Sequence, residues 1–168
     1  KDVEWKYSAP AIPTSHWPAR GFDEDYIASM ELFLKRIKAT TCALRSGTCD
    51  EDIYLGGLFA NNDIVLLHDD MLLPHWQEFA NAMQLYQKPE AFLGFCIYNV
   101  QLSTSVIDLL TPALRDKPIK GFELGNVEFA NAREGIAFAI EFIQSNRKLE
   151  EFGCVNSTIE SMADTNHL

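Results

Sequence analysis

Three groups of residues have side chains that chemistry uses, and spacing decides among them. His68-Asp69-Asp70, followed by His75, offers imidazole and carboxylate donors of the kind a divalent metal takes. Part of that set falls on a predicted strand and His75 at a predicted helix start, which gives them no common point, so no metal site is expected. Cys96 and His68 are a thiol and a base on neighbouring predicted strands, the partners thiol catalysis needs. They are offset by two residues, and that diagonal separates Cβ atoms by about 7–8 Å, too far for a hydrogen-bonded pair. Glu150-Glu151 sit at an irregular strand entry, where a solvated charge pair is expected rather than acid–base work. Glycine-rich phosphate loops, G-x-S-x-G and H-E-x-x-H are absent. The expectation is a protein that is not an enzyme and takes no cofactor.

Composition narrows the remaining classes. The chain has 168 residues, 14 Lys plus Arg against 24 Asp plus Glu, and a formal net charge of -10. That length fits one domain of about 100–200 residues, large enough to hold a core without disulfide staples. The acidic balance argues against nucleic acid, whose phosphates select Lys/Arg patches, and against an anionic membrane surface. No apolar run approaches the roughly 20 residues that span a bilayer, so no membrane insertion is expected. Cys42, Cys49, Cys96 and Cys154 form no C-x-x-C pair, which predicts free thiols in a reducing, cytoplasmic compartment. A Cys42–Cys49 bridge stays open. Lys1 stands first and no signal-peptide pattern follows, so a fragment or mature form is expected.

The elements that must carry these residues follow from periodicity. Residues 1–22 contain Pro10, Pro13 and Pro18 and read as an extended N-terminal arm. Residues 23–47 read as a capping helix: Ile27, Met30, Phe33, Leu34, Ile37 and Leu44 share one face, Asp23, Glu24 and Asp25 suit its start, and Gly47 its stop. Thr48-Cys49-Asp50-Glu51 fits a capping box, which predicts a second helix through Ile53, Leu55, Leu58 and Phe59. Further amphipathic helices are predicted over 75–86 after Pro74, over 104–116 with Pro112 kinking it, and over 132–146.

Between these helices one pattern recurs. Residues 92–102, 119–129 and 149–159 each place apolar residues at positions 1, 4, 6 and 11 and Asn at position 8, namely Asn99, Asn126 and Asn156. A weaker copy begins at Asn62 with Val65, Leu67 and Leu72, and has Asp69 in the eighth slot. The starts are 30, 27 and 30 residues apart, and self-similarity at such a period marks a solenoid. The layout F-x-x-F-x-I-x-N-x-x-L of 92–102 resembles the leucine-rich repeat family, most closely its ribonuclease-inhibitor-like subclass. The resemblance covers residues 49–159. It implies an α/β fold: a short curved leucine-rich-repeat solenoid over 48–168, parallel strands inside and helices outside.

In such a fold, positions 4 and 6 face the helices, and stacked Asn side chains satisfy the backbone of adjacent turns. The Asn156-Ser157-Thr158 sequon then has a structural reading, because a buried Asn carries no glycan. The alternate positions face the concave side, the usual binding surface of solenoids. The protein-binding residues expected there are Ile64, Leu66, His68, Leu93, Cys96, Tyr98, Glu123, Glu150 and Glu151, apolar at one end and acidic at the other. Glycines at 94, 121, 125 and 153 are expected to let a partner backbone come close. The resulting expectation is a protein–protein interaction scaffold whose partner offers a basic or amphipathic segment. Two alternatives stand beside it: a structural subunit whose arm reaches across a neighbour, and, as the resemblance implies, a regulator of a GTPase or other enzyme. For the latter, Arg115 and Arg133 fall in helix or turn positions.

Overall fold

A computed structural model describes residues 4–49, 52–58, 63–87 and 94–155. After a short α1 (His16–Ala19) comes the long α2 (Glu24–Ser46). The strands are β1 (Ile53–Gly56), β2 (Phe95–Leu102), β3 (Gly121–Phe129) and β4 (Glu151–Val155). Between them run α3 (Leu73–Leu85), α4 (Thr104–Ala113) and α5 (Ala132–Ser145), with a 3-10 turn at Asp70–Leu72. The strands form one parallel sheet in the order β1-β2-β3-β4. Helices α2, α3, α4 and α5 pack in that order as a second layer. The α/β class and the parallel sheet are thus as expected.

Local chemistry sets the helix ends. The Asp23 carboxylate accepts from the Tyr26 N–H at 2.9 Å, and Gly47 closes α2 at φ 70. The hydroxyl of Ser103 accepts from Val106 at the start of α4, and the amide oxygen of Asn131 accepts from Glu134 at the start of α5. On α2, Met30, Phe33 and Ile37 are fully buried, which is the apolar face the spacing predicts. Across the sheet Phe95, Phe122 and Phe152 stack in sequence, with centroids 5.4 and 5.8 Å apart. Such offset pairs contribute about 0.5–1.5 kcal/mol each beyond the area they bury.

The first lane of the sheet departs from the sequence reading. The predicted helix through Ile53 and Leu55 is strand β1. Ile53 and Leu55 are buried while Tyr54 is 47% exposed, an alternation of period two, and Gly56 at φ 127 is incompatible with a helix. The copy aligned from Asn62 is also displaced. Leu66, not Val65 or Leu67, enters the core, and it bridges Val100 of β2. Leu67 is 42% exposed. The lane beside β2 therefore consists of two stretches, Ile53–Gly56 against Phe95–Tyr98 and Leu66 against Val100. Paired positions Ile53, Phe95, Phe122 and Phe152 lie 42, 27 and 30 residues apart.

The Asn slot behaves as its chemistry requires. Asn99 and Asn126 both take φ 52, a left-handed geometry that Asn tolerates better than most residues. Each interrupts the regular alternation, so Asn99 and Val100, though consecutive, are both buried. Asn126 Nδ2 donates to Asn99 Oδ1 at 2.9 Å, and Asn99 Nδ2 donates to the Leu58 carbonyl at 2.7 Å. The Leu58 N–H in turn donates to the buried Ser29 hydroxyl of α2 at 3.1 Å. Asn156, expected next in the series, lies outside the described residues. Asn146, which the sequence reading left unassigned, ties the other ends of the helices together. Its amide nitrogen donates to Leu114 O and Phe142 O, and its oxygen accepts from Lys117 N.

The N-terminal arm folds back on its own chain. Trp17 is buried, and Arg45 lies 5.0 Å from the Trp5 ring centre. The His75 ring is clamped by two arm groups. Its Nε2–H donates to the Pro10 carbonyl at 3.1 Å, which leaves Nδ1 to accept from the Tyr7 hydroxyl at 2.6 Å. These contacts seat the arm against α2 and α3 of its own chain.

Candidate functional site on the open face of the sheet

Part of α2, through Arg36 and Thr40, borders the sheet face that carries Tyr54, Cys96 and Glu123. The strand register arranges that face in rows. Tyr54, Cys96, Glu123 and Gly153 stand side by side on β1 to β4, and Gly56, Tyr98, Gly125 and Val155 form the next row. Arg36 and Thr40 of α2 close one side, and with Asp52, Tyr54, Cys96, Tyr98 and Glu123 they line an open recess of about 570 Å³.

Two of the expected glycines serve their neighbours. A Cβ at Gly125 would collide with the Tyr98 ring, and a Cβ at Gly153 would stand 3.3 Å from Glu123 Cγ. Tyr98 and Glu123 each lean one strand over, onto the bare backbone. These glycines hold side chains flat against the sheet rather than admitting a partner backbone. Consequently Tyr98 is only 9% exposed, and Tyr54 is the protruding aromatic.

The polar groups of the recess are mutually coupled. Burial raises the Tyr98 phenol well above its ordinary value, and hydrogen bonding to Cys96 and Glu123 adds to the shift. Burial also raises the Cys96 thiol, with Glu123 and Asp52 adding to it and the Tyr98 contact opposing it. A thiol held protonated is a poor nucleophile. Asp52 Oδ1 accepts from the Gly94 N–H at 2.9 Å, which fixes its carboxylate at the entry to β2.

The expected binding residues divide. Cys96, Tyr98 and Glu123 come together here, and Glu150 and Glu151 lie exposed near the start of β4. Ile64 and Leu66 do not belong to the face: Ile64 packs against the core and Leu66 is fully buried in it. His68 is largely buried at the far end of the lane, where its N–H donates to Gln101 Oε1 at 2.9 Å. Gln101 is five residues beyond Cys96, so the thiol–imidazole pair is not assembled. Leu93 lies outside the described residues. Arg36, Thr40, Asp52 and Tyr54 were missed because their share in the site depends on α2 lying beside β1.

The His68–His75 set is dispersed as well. Asp69, expected in the ladder slot, instead accepts from the Met71 N–H and pairs with His16 at 2.9 Å and Arg20 at 3.0 Å. Burial alone would raise its carboxyl, but these partners outweigh it and hold it below the ordinary range. Among the described residues no group of three or more His, Cys, Asp or Glu is placed to hold a metal. None of the four cysteines is in a disulfide, and no described helix is long and apolar enough to cross a membrane. Comparison with known proteins yields no match to a protein family, to a curated protein or to a solved structure.

Proposed function

We propose that this chain is a short leucine-rich-repeat solenoid of the ribonuclease-inhibitor-like kind, acting as a cytoplasmic protein–protein interaction module. The family reading is supported by strands that succeed one another in parallel and by left-handed asparagines bonded side chain to side chain. The functional reading is carried by one observation: the recess on the open face, lined by Tyr54, Tyr98, Asp52 and Glu123. The aromatic supplies contact area, and the acidic groups beside it supply electrostatic complementarity and orientation. The free thiols fit a reducing compartment.

The test is affinity capture with wild type, Tyr54→Ala and Glu123→Lys, each shown folded by circular dichroism. The expected result is a protein retained by wild type and lost by both variants. An unchanged set of captured proteins for both variants overturns the proposal.

A further inference from the structure

Resting on that reading of the open face, we infer that the recess takes one lysine or arginine side chain from an extended segment of the partner, its cation seated between Asp52 and Glu123 and against Tyr54. The argument is charge complementarity in a shaped site. Two carboxylates from different lanes, Asp52 before β1 and Glu123 on β3, line the recess that also holds Tyr54 and Cys96. Both carboxylates line the one recess, and each adds to the rise that burial causes at Tyr54 and Cys96. Among the described residues neither takes part in an ion pair. Their fixed bonds are to neutral donors, the Gly94 N–H and the Tyr98 hydroxyl.

A lysine or arginine suits such a place for three reasons. Its cation offsets two carboxylates whose geometry is already set, so little ordering is required on binding. Its methylene stem can lie along the Tyr54 ring while the charge reaches past it. Arg36 and Thr40 line the same recess and can donate to carbonyls of the same segment.

The probe is a neutral, capped pentapeptide with one central arginine, titrated into isotopically labelled full-length protein and followed by amide chemical shifts. A lysine version is the second probe and a citrulline version the control, since citrulline keeps the shape and loses the charge. The arginine and lysine peptides should move the Tyr54, Cys96 and Glu123 amides, and citrulline should bind at least roughly tenfold more weakly. Glu123→Gln, which still accepts from Tyr98, should weaken arginine binding by a similar factor, and raising the salt should weaken it in wild type. Equal shifts with citrulline, no shifts at millimolar peptide, or full binding by Glu123→Gln would each overturn the inference. The two proposals fail separately. A captured partner lost on Tyr54→Ala but retained by Glu123→Gln leaves the face a docking site and removes the cation from it.

Discussion

The two edges of the sheet are built differently, although both belong to the same run of strand and helix. At the β1 edge, α2 lays fully buried Met30, Phe33 and Ile37 beside the strand, and Ser29 accepts the last N–H of the asparagine series. At the β4 edge, Phe152 and Cys154 are only partly buried, Val155 is 47% exposed, and Ile140 and Ile143 of α5 stand 47% and 46% exposed. A strand–helix unit cannot bury its own sides; its neighbour does so. The comparison shows what a neighbour supplies: apolar cover for the helix and a polar group for the turn. At the β1 edge α2 provides both.

The largest test of the β1 edge is Gly56→Ala. The new Cβ would fall onto the Tyr98 carbonyl at a φ of 127. The expected loss is at least about 3 kcal/mol in urea unfolding, because backbone must move and a strained conformation is imposed. A loss below about 1 kcal/mol would show that β1 is dispensable.

Asn99→Ala should cost about 2–4 kcal/mol, from stranded polar groups and from left-handed strain. Asn99→Gly separates the two, since glycine accepts φ 52 without strain but still deletes the amide. If Asn99→Gly were as stable as wild type, the hydrogen bonds to Leu58 and Asn126 would contribute nothing measurable.

Ser29→Ala removes only the terminal acceptor of the series and should cost about 1–2 kcal/mol by thermal melting. Next in size comes acidification of the arm clamp. Burial depresses the His75 imidazole below its ordinary value, and Lys38 adds to this, against opposing contributions from the Pro10 carbonyl and Glu78. With the folded value below an unfolded one of about 6.5, the contribution of neutral His75 is complete above that pH and is lost as pH falls toward the folded value. Between pH 7 and 5, therefore, the melting temperature of wild type should fall more than that of His75→Gln; parallel curves would uncouple His75 from stability. Asp69 acts in a lower window, because its depressed carboxyl loses its contribution only as pH falls below the ordinary aspartate range. The smallest effect is expected at the β4 edge, where Ile140→Ser with Ile143→Ser should change stability by no more than about 0.5 kcal/mol. A larger loss would mean that this edge is covered in solution.

Periodic parts of the chain were legible and the irregular lane was not. Helices α2 to α5 and strands β2 and β3 follow from apolar spacing, and the role of Asn99 and Asn126 follows from their recurrence in one slot. β1 was hidden by Thr48 to Glu51, which mimics a helix start, and by its length of four residues, too short for alternation to outweigh that signal. The displaced copy at Asn62 arose because a 30-residue period matches the later spacing, whereas pairing sets 42 residues between Ile53 and Phe95. The site was half legible. Cys96, Tyr98 and Glu123 lie on regular strands, so parity placed them on the right face. Tyr54 and Asp52 went with the misread strand, Arg36 and Thr40 with a helix whose docking no local pattern encodes. Leu66 was assigned to the wrong face because its parity is set by its bridge to Val100, beyond the break at Asn99, and not by a 30-residue period.

That two-part lane has a practical consequence. The lane beside β2 is filled by two stretches that are each held by β2 independently, Gly57 N donating to Tyr98 O and Gln101 N to Leu66 O. A cut between Leu58 and Asp63 would leave both of these bonds in place. One half would bring the arm, α2 and β1, the other everything from Leu66 onward, and the grip of Tyr7 on His75 and of Ser8 on Glu78 would span the break. The fold is in this sense a ready-made split protein, whose halves can be expressed apart and asked to find each other.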